Sequence, residues 1–192
     1  MVWRRVSALI LGLWLAGCGG IAAVGPERVT VGKGFSVAGA MGWNRLPPDA
    51  LGADAAWTRD GPGLDLVLFV AGRGEGEPLL HHRRERKALL LHAFSTPTEI
   101  AELWETELAL RGYRAVRTSR LEPVAFAGQP GFRFRYSFAD AAGLVSDGLA
   151  AGRVAEGRVY LIAFQGTRAH SFGAHLPAVR RLLASVRLAP PG

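Results

Sequence analysis

Apolar and polar residues follow two different periods along this chain. Phe132, Phe134, Tyr136 and Phe138 alternate with Arg133, Arg135 and Ser137, a period of two that predicts an antiparallel strand with one buried and one solvated face. Shorter β-rich runs stand at Val29-Thr30-Val31 and Phe35-Ser36-Val37, around a turn at Gly32-Lys33-Gly34. Trp57 to Gly61 leads through a turn into Leu64 to Ala71, an apolar strand, and Leu89-Leu90-Leu91 resumes a strand after a glycine-rich, charged loop at 72–88. Further strands are predicted at Tyr113 to Thr118, Leu149 to Val154, Val159 to Phe164 and Ser185 to Leu188, with turns at Gly128 to Gly131 and Glu156-Gly157.

The helical period appears twice. Ile100, Leu103, Trp104 and Leu108 recur at helical spacing behind Thr96-Pro97-Thr98-Glu99, which reads as a capping box with proline in the first turn. Gly112 closes that helix. Leu176, Val179, Leu182 and Leu183 mark a second helix over about Phe172 to Ala184, with Ser171 as its expected N-cap. Strands outnumber helices and follow one another as hairpins. The fold class expected is therefore α+β, an antiparallel β-sheet covered by two main helices.

The N-terminus has a different grammar. Arg4 and Arg5 precede an apolar run from Val6 to Trp14, which is shorter than the ~20 residues a bilayer-spanning helix needs. Small residues then lead to Leu15-Ala16-Gly17-Cys18, so residues 1–17 read as a secretory signal. These four residues resemble the lipobox of bacterial lipoproteins. The resemblance implies cleavage before Cys18 and acylation of its thiol and new amine, with membrane lipid as the partner. It also explains a lone cysteine in an exported chain, which would otherwise be a free thiol in an oxidising compartment. Stable anchoring takes at least two acyl chains, a condition that a triacylated cysteine meets. Gly19 follows instead of the aspartate that holds lipoproteins in the inner membrane of enterobacteria, so the outer membrane is the expected address. Residues 18–27 are read as lipidated cysteine and tether, and 28–189 as one globular domain.

Charge changes the picture little. The formal charge of +7 falls to +5 once Arg4 and Arg5 are removed, and Lys33 and Lys87 are the only lysines. Arginines such as Arg111, Arg114, Arg117 and Arg120 are spread among carboxylates without interleaved exposed aromatics, so nucleic acid is not an expected partner.

Several segments together resemble a known fold. Trp43-Asn44, Trp57 to Gly61, the mid-chain helix, the Gly131 to Phe134 strand entry and the closing Ser185-Val186-Arg187-Leu188 resemble the PsbP-like fold, an α/β/α sandwich. They also resemble a family of proteobacterial lipoproteins of uncharacterised function. The resemblance implies a fold and an envelope setting, and it brings no catalytic residues with it.

Candidate chemistry is sparse. His81-His82 lie in the charged loop without a partner at metal-ligand spacing. His170 and His175 are five apart, off one helical face, and are expected at capping and surface positions. Ser171 lacks a nucleophile-elbow context. Asp60, Asp140 and Asp147 are read as turn residues and Asp65 as a strand residue pointing to solvent. Trp43, Trp57 and Trp104 are read as core. No catalytic, cofactor or metal signature emerges. The favoured expectation is a non-catalytic binding or assembly accessory with an unidentified envelope protein as partner. An envelope hydrolase with a carboxylate/His site and a carrier of an apolar ligand are the alternatives.

Overall fold

Asp65–Arg73 is apolar on both sides because it is covered on both sides. Leu66, Leu68 and Val70 enter one core while Val67 and Phe69 enter another. The computed structural model describes residues 21–32, 34–38, 42–47, 51–81 and 89–188, so residues 1–17, read above as a signal, and Cys18 and His82 lie outside the described residues. In chain order the strands are β1 (Ala22–Ala23), β2 (Val29–Val31), β3 (Phe35–Val37), β4 (Asn44–Arg45), β5 (Ala55–Thr58) and β6 (Asp65–Arg73). Helix α1 (Pro97–Leu110) follows, then β7 (Arg114–Phe126), β8 (Gln129–Ala139), β9 (Val145–Ala155) and β10 (Arg158–Thr167). Helix α2 (Ser171–Ala184) and β11 (Arg187–Leu188) complete the order.

Eight strands form one antiparallel sheet in the order β1-β4-β5-β6-β10-β9-β8-β7, and β11-β3-β2 form a small second sheet. Ile100, Trp104 and Leu108 of α1 pack on one face against Phe132, Phe134, Tyr136 and Phe138. Val179 and Leu182 of α2 pack on the opposite face with Trp43, Trp57, Phe69 and Phe164. Each such aromatic or aliphatic side chain, fully buried, contributes about 1.5–3 kcal/mol, so the two cores hold the sheet between them. Helix α2 shares its face with the small sheet, and Leu79, Leu80 and Leu91 join α1 on the other face, so the α/β/α sandwich fits only in part.

The signals that bound α1 hold. Thr96 is the N-cap of α1, its side chain accepts from the Glu99 N–H, and the Glu99 carboxylate accepts from the Thr96 N–H. Gly112 takes a left-handed φ of +92° just past the helix. The alternation of β8 holds too, with all four aromatics buried.

Several local expectations are corrected. Strand β7 runs on to Phe126, and the hairpin turn is Ala127-Gly128, with φ of +53° and +74°. Positive φ at both residues matches the twist of the flanking strands. Pro130 and Gly131 stand inside β8, where a Cβ on Gly131 would collide with the Gly152 carbonyl. Glycine is needed there for close strand approach, not for turning. Leu89-Leu90-Leu91 is not a strand: Leu90 makes a single bridge to Pro78, which has no N–H to extend a ladder. Leu79 and Leu80, within the segment read as a charged loop, are instead fully buried in the α1-side core. Within the segment read as tether, Ala22–Ala23 pair with β4 and Val24 is buried. The N-cap of α2 is His170, while Ser171 is buried and its N–H donates to Thr167 Oγ1.

Candidate functional site

Asp60 and Asp65, five residues apart, and His175, 115 residues after Asp60, meet at one end of the α2-side core. Asp65 opens β6 on the same alternating face as Val67 and Phe69. Because that face is covered, Asp65 points inward and is only 1% exposed, which corrects the solvent-facing expectation. A buried carboxylate must be hydrogen-bonded, and this one is. Its Oδ1 accepts from Thr58 Oγ1 at 2.8 Å and from the Arg59 N–H at 2.7 Å, and its Oδ2 accepts from the Asp60 N–H at 3.0 Å. The Thr58 hydroxyl oxygen accepts from the Gly61 N–H at 2.9 Å, and Gly61 has a φ of +117°, a conformation suited to glycine. The turn 58–61 is thus wound around the Asp65 side chain.

His175 arrives from α2. Residues 175, 179 and 182 share one helical stripe, and Val179 and Leu182 are fully buried, so the stripe carries the imidazole down onto the turn. Its Nε2 lies 2.6 Å from Asp60 Oδ2 and 3.3 Å from Asp65 Oδ2. The Trp43 ring meets the imidazole edge-on at 6.1 Å between centroids, and the Arg59 guanidinium lies 5.5 Å over that indole. His175 is 13% exposed, Asp60 36% and Asp65 not at all, so one side of the cluster opens to water. The hydrogen bond from His175 holds the Asp60 carboxyl below its ordinary pKa. Burial opposes that effect, and the nearby charges of His175, His170 and Arg59 add to it.

The ligand atoms of Asp60, Asp65 and His175 all lie within 4.8 Å of one another. One imidazole between two carboxylates can share a proton with them or coordinate a cation. The expected surface role of His175 is therefore corrected, whereas His170 is exposed. Asp140 keeps its turn role, its Oδ1 accepting from the Ala142 and Leu144 N–H groups. Asp147 lies within β9 and pairs with Arg168 at 2.7 Å, so it is not a turn residue. His81 is exposed, Trp43, Trp57 and Trp104 are core as expected, and Ser171 Oγ is occupied by Thr167. Sequence reasoning weighed the three cluster residues separately. Its one available signal was Asp65 itself, a lone acid in an apolar strand covered on both faces.

No protein-family model and no curated protein sequence matches the chain. Solved structures do. The solution structure of cyanobacterial PsbP (CyanoP) from Synechocystis sp. PCC 6803 superposes with a TM-score of 0.58 at 15% identity, covering 91% of this chain and 99% of that one. LpqN of Mycobacterium tuberculosis, a protein involved in cell envelope biogenesis, superposes with a TM-score of 0.51 at 11% identity, covering 85% of this chain and 90% of that one. At these identities the likeness is one of fold, and the fold of this chain is PsbP-like.

Proposed function

We propose that this chain is a lipid-anchored protein of the cell envelope, held by acylated Cys18 after removal of residues 1–17, with its domain facing the periplasm. The observation that carries this reading is Leu15-Ala16-Gly17-Cys18 directly behind Arg4-Arg5 and a short apolar run. Only residues 19–21 separate Cys18 from β1, an edge strand of the main sheet, so the domain would sit against the membrane that holds the anchor. The resemblance of its Trp and Gly-Phe-Arg-Phe segments to proteobacterial lipoproteins supports the same setting. The LpqN structure, whose protein is involved in envelope biogenesis, gives an example of this fold in such a setting. No helix among the described residues is long and apolar enough to cross a membrane. The outer membrane is the preferred address because Gly19 occupies the position of the retention aspartate.

Within the envelope the domain is proposed to be a non-catalytic binding or assembly accessory. Leu89 and Leu90 are exposed, Phe94 is 91% exposed, and beside them Leu89, Leu90 and Leu103 line a groove of about 450 Å³ with Glu99 and Glu102 on its wall. Exposed apolar side chains grouped beside a groove are the surface such an accessory would offer a protein partner. The envelope-hydrolase reading draws on one observation, the convergence of Asp60, Asp65 and His175.

Intact mass and membrane fractionation in the native host, compared with Cys18→Ala, test the anchor. A triacylated mass beginning at Cys18 that is lost in the variant, together with membrane association, is the expected result. An unmodified soluble chain beginning elsewhere would overturn it.

A further inference from the structure

The cluster near the start of α2 gathers donors of the types a metal site uses, closed in this structure by the 2.6 Å contact of His175 Nε2 with Asp60 Oδ2. Asp60 comes from a turn, Asp65 from the start of β6 and His175 from α2, and each offers one ligand atom within 4.8 Å of the other two. Nε2 and Asp65 Oδ2 stand 3.3 Å apart, close to the ~3.3–3.5 Å separating neighbouring donors bound at about 2.0–2.2 Å around a tetrahedral ion. Surrounding groups fix the donors in place. Thr58 Oγ1 and the N–H groups of Arg59 and Asp60 hold the Asp65 carboxylate, and the Trp43 edge packs on the imidazole. Among the described residues, no lysine or arginine forms an ion pair with Asp65, and the imidazole of His175 lies 3.3 Å from its Oδ2. Asp60, the most exposed of the three, stands at the open side of the cluster.

We propose that Asp60, Asp65 and His175 bind one first-row divalent metal ion of the zinc class. An imidazole nitrogen with two carboxylate oxygens suits Zn²⁺ better than Ca²⁺ or Mg²⁺, which favour all-oxygen shells. Binding replaces the contact between Nε2 and Asp60 with two bonds to the ion, and any proton on Nε2 leaves to solvent. Three protein ligands leave a fourth position for water or for a donor from a bound partner. The proposal stands apart from the anchor reading, because the site lies in the folded domain.

The test is a titration of the full-length chain with Zn²⁺ alone, in competition with a chromophoric chelator, on a Cys18→Ser background that removes the lone thiol. One ion per chain is expected. Asp60→Asn and His175→Gln should each weaken binding by at least about tenfold, and His92→Gln should leave it unchanged. Thermal unfolding of metal-free Asp60→Asn checks that this exposed substitution leaves the fold intact. X-ray absorption at the zinc edge of the Cys18→Ser protein should show one imidazole in an otherwise oxygen shell. An unbound ion, binding indifferent to both substitutions, or a shell without imidazole would overturn the proposal.

Discussion

The Nε2 of His175 lies 2.6 Å from Oδ2 of Asp60, joining the buried stripe of α2 to a turn 115 residues earlier in the chain. The contact ties the helix to the sheet at the end where Trp43 and Phe164 also pack. The same hydrogen bond is the largest cause holding the Asp60 carboxyl below its ordinary pKa.

A pH prediction follows from the sign of that shift. The Asp60 pKa lies below its unfolded value of 3.8, so the stability it adds is fully present above that value and is lost as pH falls through the folded pKa. Wild type is expected to exceed Asp60→Asn in Tm by at most about 3 °C at pH 5, since the group is partly solvated and surface pairs contribute little. The gap should close as pH falls below 3.8. Thermal scans of metal-free protein from about pH 6 to about pH 2 check it. A gap that persists to the acid end would show that the pair does not depend on the Asp60 charge.

Thr96 offers a cleaner local test. Its side chain accepts from the Glu99 N–H, and its own N–H donates to the Glu99 carboxylate at 2.7 Å. Thr96→Ala removes the cap and is expected to cost about 1 kcal/mol, or about 2–4 °C in Tm for a domain of this size. Thr96→Ser should restore nearly all of it. Equal losses in both variants would mean that the methyl group, not the hydroxyl, holds the helix start.

These comparisons also show what was readable in the sequence. The α1 start, the alternation of β8 and the tryptophan core were legible because each is written in neighbouring residues: a capping box, a period of two, a large apolar side chain. The site was not. Asp60, Asp65 and His175 each fit a bland local role, and only the burial of that face of β6 in the α2-side core turns Asp65 inward and brings His175 onto it. The hairpin at Ala127-Gly128 was missed for a related reason. Gly131 and Pro130 look like turn residues, yet Gly131 is required by the close approach of Gly152 across the sheet. A local pattern cannot report what a strand from elsewhere will demand.

Gly148 is such a demand in the core. A Cβ at this position would fall within the ring of Tyr136, its partner across β8 and β9. Gly148→Ala is therefore expected to destabilise the domain by about 1–3 kcal/mol through overpacking. Tyr136→Leu should cost stability alone but relieve the added methyl, so the double variant should be markedly less destabilised than the sum of the two. Chemical denaturation of the four proteins measures the coupling, and strict additivity would show that the glycine serves the backbone and not the ring.

Tyr136 carries the last prediction. Its hydroxyl donates to the Phe164 carbonyl at 3.0 Å, and its ring lies 5.6 Å from Trp104 in an edge-on contact. Burial raises its pKa well above 10.0, since the phenolate would have to form without water. For an acid whose folded pKa is raised, the stabilising effect is whole below the unfolded pKa and is lost as pH rises above it. Wild type should therefore lose Tm steeply above pH 10.0, and Tyr136→Phe should lose less. At neutral pH the order reverses: Tyr136→Phe leaves the buried Phe164 carbonyl without the phenol and should be less stable by about 1–2 kcal/mol. The phenolate absorbance assigned to Tyr136, taken as wild type minus variant, should appear only as the protein unfolds. Its appearance in the folded protein would mean that water reaches the centre of the α1-side core.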